Sequence, residues 1–219
     1  HADQDHDDYS RLLGWGMRLV FVLGLPAALT MIVLSDGLVA TLFQYGAFDA
    51  NDVYQTQLAV MAYAVGLIGL LLVKILAPGF YGKQDIKTPV KIAIVVLILT
   101  QVFNLLLVPS LAHAGLALAI GLGACINALA LYVGLRRRQL YQPQPGWLPF
   151  LGRLGLGLTV MAAALIFMAG DIDWTASDIS IWQRAGWLAL SLGAGLASYL
   201  VTLWVLGMRL ADFRRAPKR

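Results

Sequence analysis

Residues Leu58–Pro109 read LAVMAYAVGLIGLLLVKILAPGFYGKQDIKTPVKIAIVVLILTQVFNLLLVP. Two apolar stretches, Leu58–Leu76 and Val90–Val108, flank a short link, and Lys74, Lys83, Lys87 and Lys91 cluster in and around that link. Each stretch approaches the ~20 mostly apolar residues that a helix needs to cross a bilayer. The apolar residues are continuous and do not alternate. In lipid, where the backbone must satisfy its own hydrogen bonds, that pattern predicts helices and excludes a barrel.

Working outward, four more stretches of the same kind appear: Leu19–Leu34, Leu116–Leu135, Leu154–Met168 and Trp187–Leu206. Fifteen of the sixteen Lys and Arg residues lie on alternate connections between them. Arg11 and Arg18 precede the first stretch. Arg136, Arg137, Arg138 and Arg153 lie between the fourth and fifth, and Arg209, Arg214, Arg215, Lys218 and Arg219 follow the sixth. Only Arg184 breaks the rule. Cationic loops stay on the cytoplasmic side, so the distribution predicts six transmembrane helices with both ends cytoplasmic and three hairpins facing outward. The fold class expected is all-α, membrane-spanning.

Composition agrees. The chain is 59% hydrophobic and only 13% charged, against about a quarter charged in a soluble domain. The formal net charge of +4 is accounted for by topology, and no aromatic–basic groove points to nucleic acid. All acidic residues are Asp, and Asp36, Asp49, Asp52, Asp171, Asp173 and Asp178 fall on the outward hairpins. The single Cys125 lies within the fourth span, which leaves no intrachain disulfide. The opening HADQDHDD, without an initiator Met, reads as a piece cut from a longer polypeptide.

The organisation expected is a head and helix entry over 1–18, four spans over 19–141, a Pro-rich linker over 142–149, a final helix pair over 150–208 and a basic tail over 209–219. Pro26 should bend the first span. LVATLF (38–43) suggests a short interfacial helix before a turn at Gly46. Pro78-Gly79 reads as a stop for the second span. Thr88 reads as an N-cap with Pro89 at the first helical position, and Pro109 as the end of the third span. The link PSLAHAG (109–115) makes spans three and four an antiparallel hairpin.

Enzyme chemistry has little to stand on. His1, His6 and His113 are the only histidines, and neither a nucleophile–base set nor a phosphate-cradling loop is present. No metal site and no cofactor are expected. Polar residues inside spans are more informative, because they are costly in hydrocarbon. Gln101 and Asn104 share a face of the third span and Asn127 lies in the fourth. They either hydrogen-bond across the hairpin or line a polar translocation cavity. Lys74 either snorkels to the interface or points into the bundle toward an anionic head group. Lys87 and Lys91 present a cationic edge, beside which Asp85 is a candidate gate. Gly121, Ala124, Cys125 and Ala128 in span four, and Gly193 and Ala197 in span six, have the small-residue spacing of close helix packing. Gly155 and Gly157 in span five suit either packing or a shallow groove for a lipid chain.

The segment GLIGLLLVKILAPGFYGKQDIKTPVKIA (Gly66–Ala93) resembles the most characteristic stretch of the lipid II flippase (MurJ/MviN) family. LFQYGAFD (Leu42–Asp49), HAGLALAIGLGACINA (His113–Ala128) and QPQPGW (Gln142–Trp147) match as well, in order and spacing, so the resemblance covers about Tyr9 to Phe213. It implies a fold similar to multidrug and oligosaccharide-lipid exporters, with two six-helix lobes and two extra C-terminal helices. This chain would supply the last four helices of the second lobe and the extra pair.

The activity implied is movement of undecaprenyl-diphosphate-linked peptidoglycan precursor between leaflets of the bacterial inner membrane by alternating access. Its partners would be that precursor, membrane lipids and the N-terminal lobe of the same polypeptide. The resemblance carries over Lys74, Asp85, Lys87 and Lys91 as family-motif positions with a gating or structural role, and Gln101, Asn104 and Asn127 stand beside them as substrate or gating candidates on their polarity within the spans. The resemblance also makes Gly155, Gly157, Gly193 and Ala197 candidates for a lipid-tail groove. Two other readings stand beside this one: an exporter of the same superfamily with a different cargo, and a non-transporting scaffold of the cell-wall machinery.

Overall fold

The structure, a computed structural model, describes residues 2–82, 84–170, 172–176 and 179–208, with only the backbone for 2–7. Lys83, Asp171, Asp178, His1 and the tail residues Arg209, Arg214, Arg215, Lys218 and Arg219 lie outside the described residues. The elements are α1 (Ala2–Val33), α2 (Ser35–Phe43), α3 (Ala50–Tyr81), α4 (Lys87–Arg137), α5 (Trp147–Ala169) and α6 (Ile181–Val205). Five of these are long and apolar enough to cross a membrane. The 51-residue α4 reverses at Ala112 (φ 47, ψ −124) and so supplies two passes.

The reversal makes the expected antiparallel hairpin. Thr100 lies against Gly123, and Leu107 against Gly115, so the two arms, 87–111 and 113–137, run back along each other. A Cβ on Gly115 would sit 2.5 Å from the Leu107 carbonyl oxygen, a spacing that only glycine permits at so tight a tip.

Charge separates the two ends of the bundle. Arg11, Arg18, Lys87, Lys91 and Arg136–Arg138 mark a basic end. Asp36, Asp49, Asp52 and Asp173 mark the opposite, acidic end. The acidic residues also start helices. The Asp49 carboxylate accepts from the Asn51 and Asp52 amides while Asp52 accepts from the Asp49 amide, a capping box. Ser180 and Gln183 begin α6 in the same way.

Small residues set the packing. A Cβ on Gly66 would fall 2.1 Å from the Gly121 Cα, and one on Gly69 would fall 2.5 Å from the Cys125 amide nitrogen. The α3 and α4 backbones therefore touch, as close approach in lipid requires. At the basic end α1, α3, α4 and the linker share a core around Leu13, Leu76, Phe80, Leu135 and Tyr141. A second core joins α1, α2, α5 and α6, with Val53 from the start of α3, around Leu34, Val39, Leu165, Trp174 and Tyr199. The α5–α6 pair leans on α1 and α2, and neither helix packs its backbone closely along α3 or α4.

Helix α1 runs through the head, the expected helix entry, because Ser10, Leu13, Gly14 and Met17 form a buried face there. Three local expectations are corrected. Pro78 does not stop α3, which continues to Tyr81. A proline in the last turn forfeits a single hydrogen bond, to the Lys74 carbonyl, and the helix tolerates that. Thr88 does not cap α4: the helix begins at Lys87, ahead of Pro89, its N-cap position is Ile86, which makes no side-chain cap bond, and the Thr88 amide instead donates to the Asp85 carboxylate at 3.1 Å. Pro109 likewise lies within α4, and the chain turns three residues later.

Candidate functional site

The arm 87–111 of α4 is packed along one side only. Pro89 and Val96 are buried, and Ile92, Leu99, Thr100, Phe103 and Leu107 are half-buried. At 100° per residue these occupy one side of the helix. The opposite side is open, and Lys87, Lys91, Ile98, Gln101 and Leu105 fall within a sector of about 80° on it; all five are exposed. The stripe starts with two ammonium groups at the basic end. It reaches a carboxamide fourteen residues on, a rise of about 21 Å, well inside a hydrocarbon layer of about 30 Å.

A carboxamide facing bare hydrocarbon is costly, so this surface is built for a polar or protein neighbour. Asn104 flanks the stripe, and its Nδ2 donates to Gln101 Oε1 at 3.4 Å. The Oδ1 atoms of Asn104 and Asn127 are both buried without a partner. The expected bond across the hairpin to Asn127 is absent, and the register explains why. From the Thr100–Gly123 contact, Asn104 lies one turn toward the tip and Asn127 one turn toward the base, about 12 Å apart along the axis.

At the foot of the stripe, Asp85 is engaged within the α3–α4 unit. Its carboxylate pairs with Arg138, whose Nη2 also donates to Thr88 Oγ1 at 2.7 Å and whose guanidinium lies 5.9 Å from the Phe80 ring centre. The Thr88 side chain, its amide and the Arg138 charge hold the Asp85 carboxyl below the usual carboxylate range, outweighing partial burial. The clamp ties the start of α4 to its end. Half of the Arg138 side chain remains exposed, beside the turn that carries Lys87. Arg138 was legible only as one of three topology-setting arginines, since nothing in RRR distinguishes the last. Lys74 is exposed on α3, seven residues before its end.

The four groove candidates do not share a surface. Gly157 is buried against Tyr199 and Leu203. Gly155 and Gly193 have nothing within 4 Å of an added Cβ, and they and Ala197 are exposed. The contact face of α6 is instead Leu188, Ser191, Gly195, Tyr199 and Leu203, with Gly195 seated against Leu165.

The linker and the acidic-end loop fasten α5 and α6 to α1 and α2. Ser10 Oγ donates to the Gln142 carbonyl at 3.0 Å and accepts from the Gln142 amide at 2.9 Å. Arg18 lies 5.3 Å from the Trp147 ring centre and donates to the Pro145 carbonyl at 3.3 Å. At the acidic end Arg184 is buried, donating to Gln44 Oε1 at 2.8 Å and to the Ala176 carbonyl at 2.7 Å. Gln44 donates on to the Thr175 carbonyl at 3.1 Å. Trp174 covers Gly37, where a Cβ would come within 2.9 Å of the indole. Arg184 thus departs from the charge pattern because it is a structural cation.

A cleft of about 460 Å³ opens at the acidic end between Gln55, Leu58 and Ala62 of α3 and Ser110, Leu111 and Leu118 of the hairpin tip. His113 is exposed at that tip, and among the described residues no group of three His, Cys or Asp side chains is placed to hold a metal ion.

Comparison with known proteins gives this architecture relatives. The family model described as lipid II flippase MurJ matches residues 1–207. The chain is 49% identical over 218 residues to the lipid II flippase MurJ of Burkholderia cenocepacia, covering all of this chain and 42% of that protein. It is 36% identical over 217 residues to the Probable lipid II flippase MurJ of Vibrio cholerae, covering 99% of this chain and 41% of that one. A third relative, from Buchnera aphidicola subsp. Baizongia pistaciae, is 38% identical over 209 residues and is covered to 40%. The chain therefore spans about two fifths of the length of the curated relatives it matches. With its repeated apolar crossings and a family match over nearly its whole length, the chain is a multi-pass membrane protein that belongs to the lipid II flippase MurJ family.

Proposed function

We propose that this chain is the C-terminal portion of a lipid II flippase of the bacterial inner membrane. It would lie with its basic end cytoplasmic and work by alternating access together with an N-terminal lobe. The cargo would be an undecaprenyl-diphosphate-linked peptidoglycan precursor, and no covalent step is required of the protein. The single observation that carries this reading is the open stripe on α4. It sets two cations at one end of a face that is otherwise apolar, with a carboxamide at mid-depth. A lipid with an anionic diphosphate head and a long hydrocarbon tail offers matching chemistry, the ammonium groups meeting phosphate and the apolar positions meeting chain or lobe.

The basic end is assigned to the cytoplasm because Lys and Arg resist translocation. Helices α1, α3 and the two arms of α4 belong to the lobe, and α5 and α6 are the extra pair. The experiment uses the full-length polypeptide in cells depleted of their own flippase. Joint neutralisation of Lys87 and Lys91 to Gln lowers precursor export more than joint neutralisation of Arg214 and Arg215. Equal effects, with both proteins inserted, would reduce the stripe's cations to a topology signal. Failure of the unaltered protein to restore export would sink the flippase reading itself.

A further inference from the structure

Helix α1 crosses the membrane with Pro26 in its interior. Proline carries no N–H, so the carbonyl four residues earlier, that of Val22, loses its helical donor. At membrane depth no water replaces it, and an orphaned carbonyl there is costly. The structure supplies a donor from another helix: the Tyr199 hydroxyl on α6 donates to the Val22 carbonyl at 2.8 Å. Tyr199 is 2% exposed, and its ring is held against Gly157 of α5.

Beyond the proline, α1 has room beside it. An open-sided apolar cavity of about 280 Å³, a groove in the surface of the bundle, is lined by Ala28, Leu29 and Ile32 of α1, Ala64 and Ile68 of α3, and Leu158 of α5. The segment that borders the cavity leads directly into α2, which Gln44 and Arg184 fasten to α6. A weak point in the helix, one removable hydrogen bond across it and empty space alongside are the parts of a hinge.

We propose that Pro26 is a hinge in α1 and that Tyr199 is its pin, a positioning residue that holds α1 in the conformation seen here. Release of the hydroxyl lets the acidic-end half of α1, with α2, swing against the cavity. The hinge, whose movement is read out as transport, rests on the flippase reading; the pin does not.

The test is a double-mutant cycle in the full-length protein, with Tm measured in one detergent. Tyr199→Phe keeps the ring and removes the donor, while Pro26→Ala returns an N–H to Val22. Tyr199→Phe lowers Tm by about 2 °C in the Pro26 background, as the loss of one hydrogen bond in a large protein would. In the Pro26→Ala background the same change leaves Tm where it was. An equal drop in both backgrounds overturns the pin. Pro26→Ala, inserted and at least as heat-stable as the parent, loses precursor export; full export by that variant overturns the hinge. If the unaltered protein itself does not export, the flippase reading falls, while the Tm cycle still decides the pin.

Discussion

The Tyr199 hydroxyl reaches the Val22 carbonyl across 2.8 Å because the residue behind the tyrosine ring, Gly157, has no side chain. A Cβ there would lie 3.3 Å from the ring and 3.2 Å from Leu203, whereas at Gly155, half a turn away, it would meet nothing within 4 Å. Both substitutions to alanine gain the same helix propensity, about 0.5–1 kcal/mol. Gly157→Ala is nonetheless expected to be less stable than Gly155→Ala by about 1–2 kcal/mol, because crowding a packed seam offsets the gain. Thermal unfolding of the two variants side by side checks this, and equal midpoints would remove Gly157 from the seam.

The crossing of α3 and α4 allows still less. With Gly121 Cα only 2.1 Å from where a Gly66 Cβ would stand, the helices must part to admit one methyl group. Gly66→Ala should cost about 3 kcal/mol or more, at or above the top of the range for overpacked cores, and lower the amount of inserted protein. Gly193→Ala, on the open face of α6, should instead be slightly stabilising, by the helix-propensity gain of about 0.5–1 kcal/mol. A Gly66→Ala protein with unchanged Tm would show that the two backbones do not meet.

Arg184 holds three elements at once. Arg184→Met keeps most of the buried volume but leaves Gln44 Oε1 and the Ala176 carbonyl without their donor, a loss of about 1–3 kcal/mol. Limited proteolysis should then cut the 172–180 loop faster, with no comparable change at the linker, residues 138–146. Unchanged cleavage of that loop would mean that Trp174 on Gly37 secures it alone.

Asp36 gives a dependence on pH. Partial burial, reinforced by the nearby Asp173 charge, raises its pKa above the ordinary carboxylate value. A carboxyl whose folded pKa is raised favours the fold when protonated. That contribution is complete below the unfolded pKa of about 3.9 and is lost as pH rises through the folded value. Asp36→Asn should therefore be more stable than the parent at pH 7, with the gap closing as pH falls toward 4. A gap that does not change with pH would show that Asp36 titrates normally.

Much of this could be read from the residues, for physical reasons that also mark the limits. Long apolar runs and cations on alternate links announce crossings, because lipid punishes exposed backbone and translocated charge. The tight link at His113 announced a hairpin. Which face of each helix packs is another matter, since in lipid both faces are apolar. Gly193 and Ala197 have the same spacing as a contact stripe, yet Gly195 is the residue that meets Leu165. The Tyr199–Val22 bond joins residues 177 positions apart. Pro26 signalled an orphaned carbonyl, but nothing local to α1 could name the donor. The candidate stripe on α4 was half legible. The spacing of Lys87 and Lys91 placed them on one edge, but only the packing of Val96 and Thr100 showed that this edge, with Gln101, points away from the hairpin.

The reliance of α5 and α6 on α1 and α2 localises what the pair needs: an open glycine at Gly37 for an indole, a hydroxyl at Ser10 for the linker, an amide at Gln44 for a buried guanidinium. None of these lies on α3 or α4, so damage at the Gly66–Gly121 crossing and damage at the seat of the pair are separable. Because the pair is a hairpin, α6 ends at the basic end from which α5 departs.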